Sequence, residues 1–297
     1  MTFEDQAQAA AAAVGVQAYV HAVDLATHDE VGLEPDRPVV AASIFKLPVL
    51  VELCRQVDEG SIDPTARVRV PVGDRTPGGV GLAAMLDEVE LSVRDTAYLM
   101  MSVSDNHATD IIIDMLGVDA VNARLDALGL PGTRLVSTCR DLFAQIEADI
   151  GQGVDDDALS RPDEALSRRL RTAAAFDPAR TSATTPRETT TLLAAIWDDT
   201  AASPAACAEA RRILGLQAWP HRLTAGFPDS RITIAGKTGT MTYVRNEAGV
   251  VTYPDGGRYA VAVYLRHPDE ELRNPDGDRL IGTLGRLAVD HLRHESS

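Results

Sequence analysis

The hydrophobic pattern is strand-like near both chain ends and helical between them. Residues 4–14 are Ala-rich and predict a helix. Val16–Val23 is β-prone and mostly apolar, which predicts a strand, and a turn at Ala26–Asp29 leads to a second short strand near Glu30–Leu33. The other end mirrors this order. Ile232–Gly236 and Asn246–Tyr253 read as strands, Pro254-Asp255-Gly256-Gly257 is a turn cluster, Arg258–Arg266 alternates as a further strand, and a helix closes the chain over Asp278–Arg293.

The middle has helical patterning. Ser43–Glu59 is apolar almost all round and stops at Gly60, the signature of a buried helix. Ser92-Val93-Arg94-Asp95 resembles a capping box opening a helix through Met101. Thr185-Pro186-Arg187-Glu188 is a stronger one, with proline at the first helical position. Residues 141–183 are acidic and poorly patterned and read as an elaborated loop region. The expected fold is therefore α/β: one antiparallel five-stranded sheet built from both chain ends, flanked by helices, with an inserted helical subdomain. The expected division is a single domain over residues 1–297. Its α/β subdomain takes residues 1–42 and 226–297, its helical subdomain residues 43–225, with a cleft between them.

Composition narrows the function. The 297 residues carry a formal charge of −16, which argues against nucleic acid and anionic membrane surfaces as partners. No stretch is long and apolar enough to span a bilayer. Cys54, Cys139 and Cys207 include no C-x-x-C pair, so neither a disulfide framework nor a zinc cluster is expected, and no metal or cofactor is called for. The first residues lack the positive head and apolar core of a secretory leader. As written the chain reads as cytoplasmic, or as exported if a leader has been removed.

Of the 28 basic residues only Lys46 and Lys237 are lysines. Arginine serves as well on a solvated surface but stays charged, whereas a desolvated lysine can lose its proton and act as a base. Both lysines lie in short motifs. Ser43-Ile44-Phe45-Lys46 places a hydroxyl and an amine one turn apart; a serine becomes a nucleophile once a base takes its proton. Ser104-Asp105-Asn106 offers a hydroxyl and an amide between two predicted helices. Lys237-Thr238-Gly239-Thr240 ends the strand from Ile232, with a cation, a hydroxyl and a glycine that admits a ligand to the backbone. Arg245 reads as a solvent-facing hairpin arginine, with a second cation for a substrate carboxylate as the alternative, His107 as a capping or structural histidine, and Trp197 and Trp219 as core or groove residues.

S-x-x-K, S-D-N and K-T-G in that order are the motif set of class A β-lactamases and penicillin-binding proteins. The chain resembles that serine hydrolase superfamily, and class A most closely, over segments spanning most of its length. The resemblance implies that Ser43 is the acylated nucleophile and Lys46 its base or the base's partner. It implies that Ser104 relays a proton, Asn106 binds a substrate amide, and Lys237 and Thr238 hold a substrate carboxylate. The N–H groups of Ser43 and Thr240, next to Gly239, would form the oxyanion hole. A small anionic molecule is the implied partner.

The chain departs from the family at one point of chemistry. Class A enzymes carry an E-x-x-L-N glutamate that activates the deacylating water. The stretch that should hold it, Thr133–Asp141, has no glutamate, and the nearest fragments, Asp156-Asp157-Ala158-Leu159-Ser160 and Asp163-Glu164-Ala165-Leu166-Ser167, read D-x-x-L-S within an acidic run. Slow deacylation is the expectation. A D-Ala-D-Ala peptidase, an acyl esterase and a non-catalytic binding protein on the same fold are the alternatives.

Overall fold

The structure is a computed structural model that describes residues 2–151, 163–268 and 274–295. The chain opens with α1 (Phe3–Val14), where Thr2 and Asp5 close a reciprocal capping box. β1 (Gln17–Asp24) and β2 (Glu30–Leu33) follow as a hairpin, then the short β3 (Val39–Val40). Next come α2 (Lys46–Asp58), the ribbon β4 (Arg67–Val70) with β5 (Val89–Ser92), and α3 (Val93–Ser102), α4 (Asn106–Leu116), α5 (Val118–Ala127) and α6 (Cys139–Ile150). After residues 152–162, which lie outside the described residues, come α7 (Glu164–Thr172), β6 (Ala183–Thr184), α8 (Pro186–Trp197) and α9 (Pro204–Leu214). β7 (Thr233–Met241), β8 (Val244–Thr252), β9 (Arg258–Arg266) and α10 (Pro275–Glu295) complete the chain.

Five strands form one antiparallel sheet in the order β2-β1-β9-β8-β7. The two chain ends meet where β1 pairs with β9 along its whole length. The alternation in β9 explains the layering. Tyr259, Val261, Val263 and Leu265 point into a core with α1 and α10, while Ala260, Ala262 and Tyr264 point to the core shared with the helices of the insert. α10 lays a stripe of Leu280, Ile281, Leu284, Ala288, Val289 and Leu292 on the first face, all buried. On the other face α8 is tied down by hydrogen bonds from Thr190 to His21 and between Thr189 and Tyr264. Ser92 and Thr185 cap their helices as their sequences predict, accepting from Asp95 N and Glu188 N.

Three local expectations are corrected. Residues 42–45 are a separate 3-10 turn rather than the first turn of α2. Among the described residues of the region 141–183, which is helix-compatible in sequence, the chain forms most of α6 and all of α7, capped by Thr138 and Asp163, rather than mainly loop. The apolar positions there are sparse, because these helices bury few residues: Cys139 and Ile150 on α6, Leu166 and Leu170 on α7. Finally, the strand expected over Ile232–Gly236 begins at Thr233 and is longer than that span. It runs on to Met241, so the whole Lys237–Thr240 segment lies inside β7 and pairs with Arg245–Ala248.

Candidate active site

Ser43 stands in the 3-10 turn Ala42–Phe45, which runs directly into α2. In that geometry side chains three apart eclipse one another, so Ser43 and Lys46 project from the same edge. Ala42 enters the turn with φ 45°, and Ser104 takes φ 65° between α3 and α4. Left-handed backbone at non-glycine residues costs about 1–3 kcal/mol each and clusters at functional sites. At Ser104 the gain is visible, because both its carbonyl and its hydroxyl reach the lysine. Lys46 Nζ donates to Ser104 O at 2.8 Å, to Ser104 Oγ at 3.2 Å and to Asn106 Oδ1 at 3.1 Å. None of these three bonds goes to Ser43.

The Asn106 amide is oriented from its other end, with Nδ2 donating to Pro77 O at 3.1 Å. Asp105 caps α4, accepting from His107 N and Ala108 N, and its other oxygen takes Leu82 N. His107 holds Thr76 N through Nδ1 and is structural, as expected.

The sheet supplies the opposite wall through β7. Gly239 packs so tightly on the serine turn that a Cβ there would lie 3.1 Å from Ala41 O and 3.2 Å from Ser43 N. Any side chain would push the two segments apart. Thr238 N, on the open edge of β7, donates to Gln217 Oε1 at 2.7 Å. Strand N–H groups two residues apart point the same way, so Thr240 N also faces off that edge. Ser43, Ser104, Asn106, Thr238 and Thr240 line one cleft of about 500 Å3, a size suited to a small molecule. Lys237 lies fully buried beneath it, with Nζ donating to Thr238 O at 2.8 Å.

Burial sets the electrostatics. Both lysines are 0 % exposed. Desolvation pulls the Lys46 amine below its ordinary range, against an upward pull from the Cys139, Asp105 and Asp110 groups. It depresses Lys237 further, with the Lys46 charge adding to the effect. Across the ladder from Thr238, burial pushes Glu247 up to about 7 even though Leu223 N and Gln217 Nε2 donate to its carboxylate.

Several cleft residues escaped the reading of the sequence. Arg222 is buried, donating to Gly239 O, Asn246 O and Thr240 Oγ1 and pairing with Asp278 at 2.7 Å. No motif marks it among so many arginines. Arg245 is corrected: it is 3 % exposed, lines the cleft and pairs with Asp278 at 3.2 Å, so it is not a solvent-facing arginine. His221, which the sequence does not single out, lines the groove together with Trp219, as expected of a core or groove residue.

The place of the missing glutamate is informative. From the Thr133–Asp141 stretch, Cys139 reaches the site, with Sγ 3.7 Å from Asn106 Oδ1. Burial pushes its thiol up to about 12, so it is no base near neutrality. Asp110 is committed elsewhere, accepting from Thr76 Oγ1, Cys139 N and Arg140 N. Asp163 of the second D-x-x-L-S fragment caps α7 through Leu166 N. The first fragment, 156–160, lies outside the described residues.

Residues 2–292 match the family model described as the β-lactamase enzyme family. The β-lactamase regulatory protein BlaB of Streptomyces cacaoi is 27% identical over 289 residues, 91% of each chain. The crystal structure of a β-lactamase from Sphaerobacter thermophilus superposes with a TM-score of 0.79 at 28% identity, covering 98% of this chain and 97% of that one. A mutant of PBP-A solved as an acyl-enzyme complex with penicillin G superposes at 0.77 and 24% identity, over 98% and 96% of the two chains. Among the described residues, no helix is long and apolar enough to cross a membrane. With fold and family model in agreement over nearly the whole chain, the protein belongs to the β-lactamase enzyme family and is a serine β-lactamase-like hydrolase.

Proposed function

We propose that Ser43 attacks the carbonyl of a small anionic lactam, amide or ester to form a covalent acyl-serine, and that the acyl group then leaves slowly. The observation that carries this reading is the buried Lys46 amine, whose three hydrogen bonds all go to Ser104 and Asn106. An ammonium uses all three of those acceptors. A neutral amine has two protons and a lone pair, and a Ser104 hydroxyl that turns to donate to it completes the set. Burial favours that neutral state.

On this reading the Ser104 hydroxyl rotates away from the amine, and the freed Lys46 lone pair takes the Ser43 proton as the oxygen–carbon bond forms. The N–H groups of Ser43 and Thr240 stabilise the oxyanion. Ser104 passes its proton to the leaving nitrogen or oxygen as the old bond breaks, and takes in return the proton that Lys46 received from Ser43. Asn106 holds a substrate amide, and Lys237 and Thr238 hold its carboxylate beside Gly239, with Arg222 and Arg245 adding positive field in a chain of charge −16. Deacylation is slow because the side chain facing Asn106 is a neutral thiol and Asp105 and Asp110 already accept backbone N–H groups.

Intact-mass measurement after mixing with benzylpenicillin tests this. The expected result is a gain of one acyl group that persists, is absent in Ser43→Ala, and in Cys139→Glu decays at least about tenfold faster, as a placed general base should achieve. No adduct with benzylpenicillin, a chromogenic cephalosporin or a fluorophosphonate would sink the proposal. One observation favours a second reading, the relationship to a protein named as a β-lactamase regulator: the cleft would then bind its ligand reversibly as a sensor. Ligand binding left intact by Ser43→Ala, with no adduct on the unsubstituted protein, would select it.

A further inference from the structure

A second cavity, larger than the cleft, opens behind the turn that carries Ser43. Its volume is about 870 Å3 against about 500 Å3. It lies on the sheet face that carries Tyr264 and is closed by β3 and the segment after α7. The two sites are separated by strand geometry: Arg245 faces the cleft, while its neighbours Val244 and Asn246 line this cavity.

Its chemistry is mixed in an ordered way. The half-buried Tyr19 supplies an aromatic wall above the buried Phe176 and Tyr264, and Arg37, Arg171 and Arg266 belong to the lining. Arg266 donates to Phe176 O at 3.0 Å, and Arg37 is exposed. Asp177 is the acidic member of the lining, and its carboxylate accepts from Ala179 N. The lining also holds an unmet acceptor. Asn246 is 0 % exposed; its Nδ2 donates to Val40 O at 3.0 Å and Ala41 O at 3.2 Å, and its Oδ1 has no partner among the described residues.

We propose that this cavity is a second binding site, for a small organic anion that carries an apolar ring. The carboxylate or phosphate meets the arginines, and the ring packs against Tyr19 and the segment that covers the Asn246 amide. Because the same amide holds the carbonyls of Val40 and Ala41, directly before Ala42 and Ser43, an occupant alters the set of the serine turn. The coupling to acylation rests on the Ser43 reading above; the binding does not.

Calorimetry on the full chain with 4-hydroxybenzoate as probe tests the site, with neutral 4-hydroxybenzamide as comparison. The expected result is binding that weakens about tenfold in Arg37→Glu, the loss of one charged contact. Arg37 lies on the exposed rim, so this variant leaves the core intact. Binding should be unchanged in Lys237→Ala, which alters the cleft instead. No binding at millimolar probe, equal binding of the neutral amide, or loss in Lys237→Ala but not in Arg37→Glu would each overturn the site. In parallel, saturating 4-hydroxybenzoate is expected to change the rate of Ser43 acylation in the unsubstituted protein and not in Arg37→Glu. Binding with an unchanged acylation rate overturns the coupling, and absence of any acylation overturns the Ser43 reading while the calorimetry still decides the site.

Discussion

The helical wall of the cleft and its sheet wall each bury one lysine completely, and they treat it differently. On the helical wall Lys46 meets a carbonyl, a hydroxyl and an amide oxygen, all from one turn that Ser104 makes in left-handed backbone. On the sheet wall Lys237 donates to the carbonyl of the next residue and lies within the fields of Lys46 and Glu247. An amine among rotatable hydroxyl groups can exchange a proton. An amine held under a strand by a backbone carbonyl is a fixed source of positive field. The contrast supports the proposed division of proton transfer to one wall and anion recognition to the other, although burial depresses both amines.

The sharpest way to break this contrast is Lys46→Arg. Arginine stays protonated, so the acylation rate should fall by about 10²–10⁴, the usual contribution of a general base, while affinity for the anionic compound changes little. Acylation at the original rate would remove Lys46 from the proton path.

Next comes the carboxylate on the sheet wall. Burial raises Glu247 from 4.5 in the unfolded chain to about 7 in the native one. Between those values the native state holds a proton that the unfolded state has released, so stability is fully present below about pH 4.5 and falls as pH rises through 7. Urea unfolding should show a loss of roughly 3 kcal/mol across that window, at 1.36 kcal/mol per pKa unit, and Glu247→Gln should flatten it. An unaltered pH profile in the variant would show that the group does not titrate there.

The smallest effect belongs to Lys237→Ala. Affinity for carboxylate-bearing substrates should drop about 10–100-fold, the loss of one charge-assisted hydrogen bond. Esters without a carboxylate should be processed as before, and equal loss for both would assign Lys237 to the chemistry instead.

Legibility in the sequence followed how local each signal was. The strands at Glu30–Leu33 and Arg258–Arg266 and the caps at Ser92 and Thr185 could be read because alternation and capping act within a few residues. α6 and α7 could not, because their buried positions are few and widely spaced. Within the cleft the two lysines stood out by their rarity. Arg222, Gln217 and Cys139 did not, since each acquires its place by touching residues at least 15 positions away, Gly239, Thr238 and Asn106 among them.

The sequence alone determined the kinds of chemistry available to this protein: which hydroxyls and amines exist, in which order, and that no glutamate follows the family's pattern. Those are covalent facts and need no folding. Tertiary structure decided which groups meet: that Lys46 is held by Ser104 and Asn106, that a thiol faces the same amide, that Arg245 is buried, and that a second cavity opens behind the serine turn. Desolvation and long-range contact exist only once the sheet closes from both chain ends, and they set the lysines' protonation.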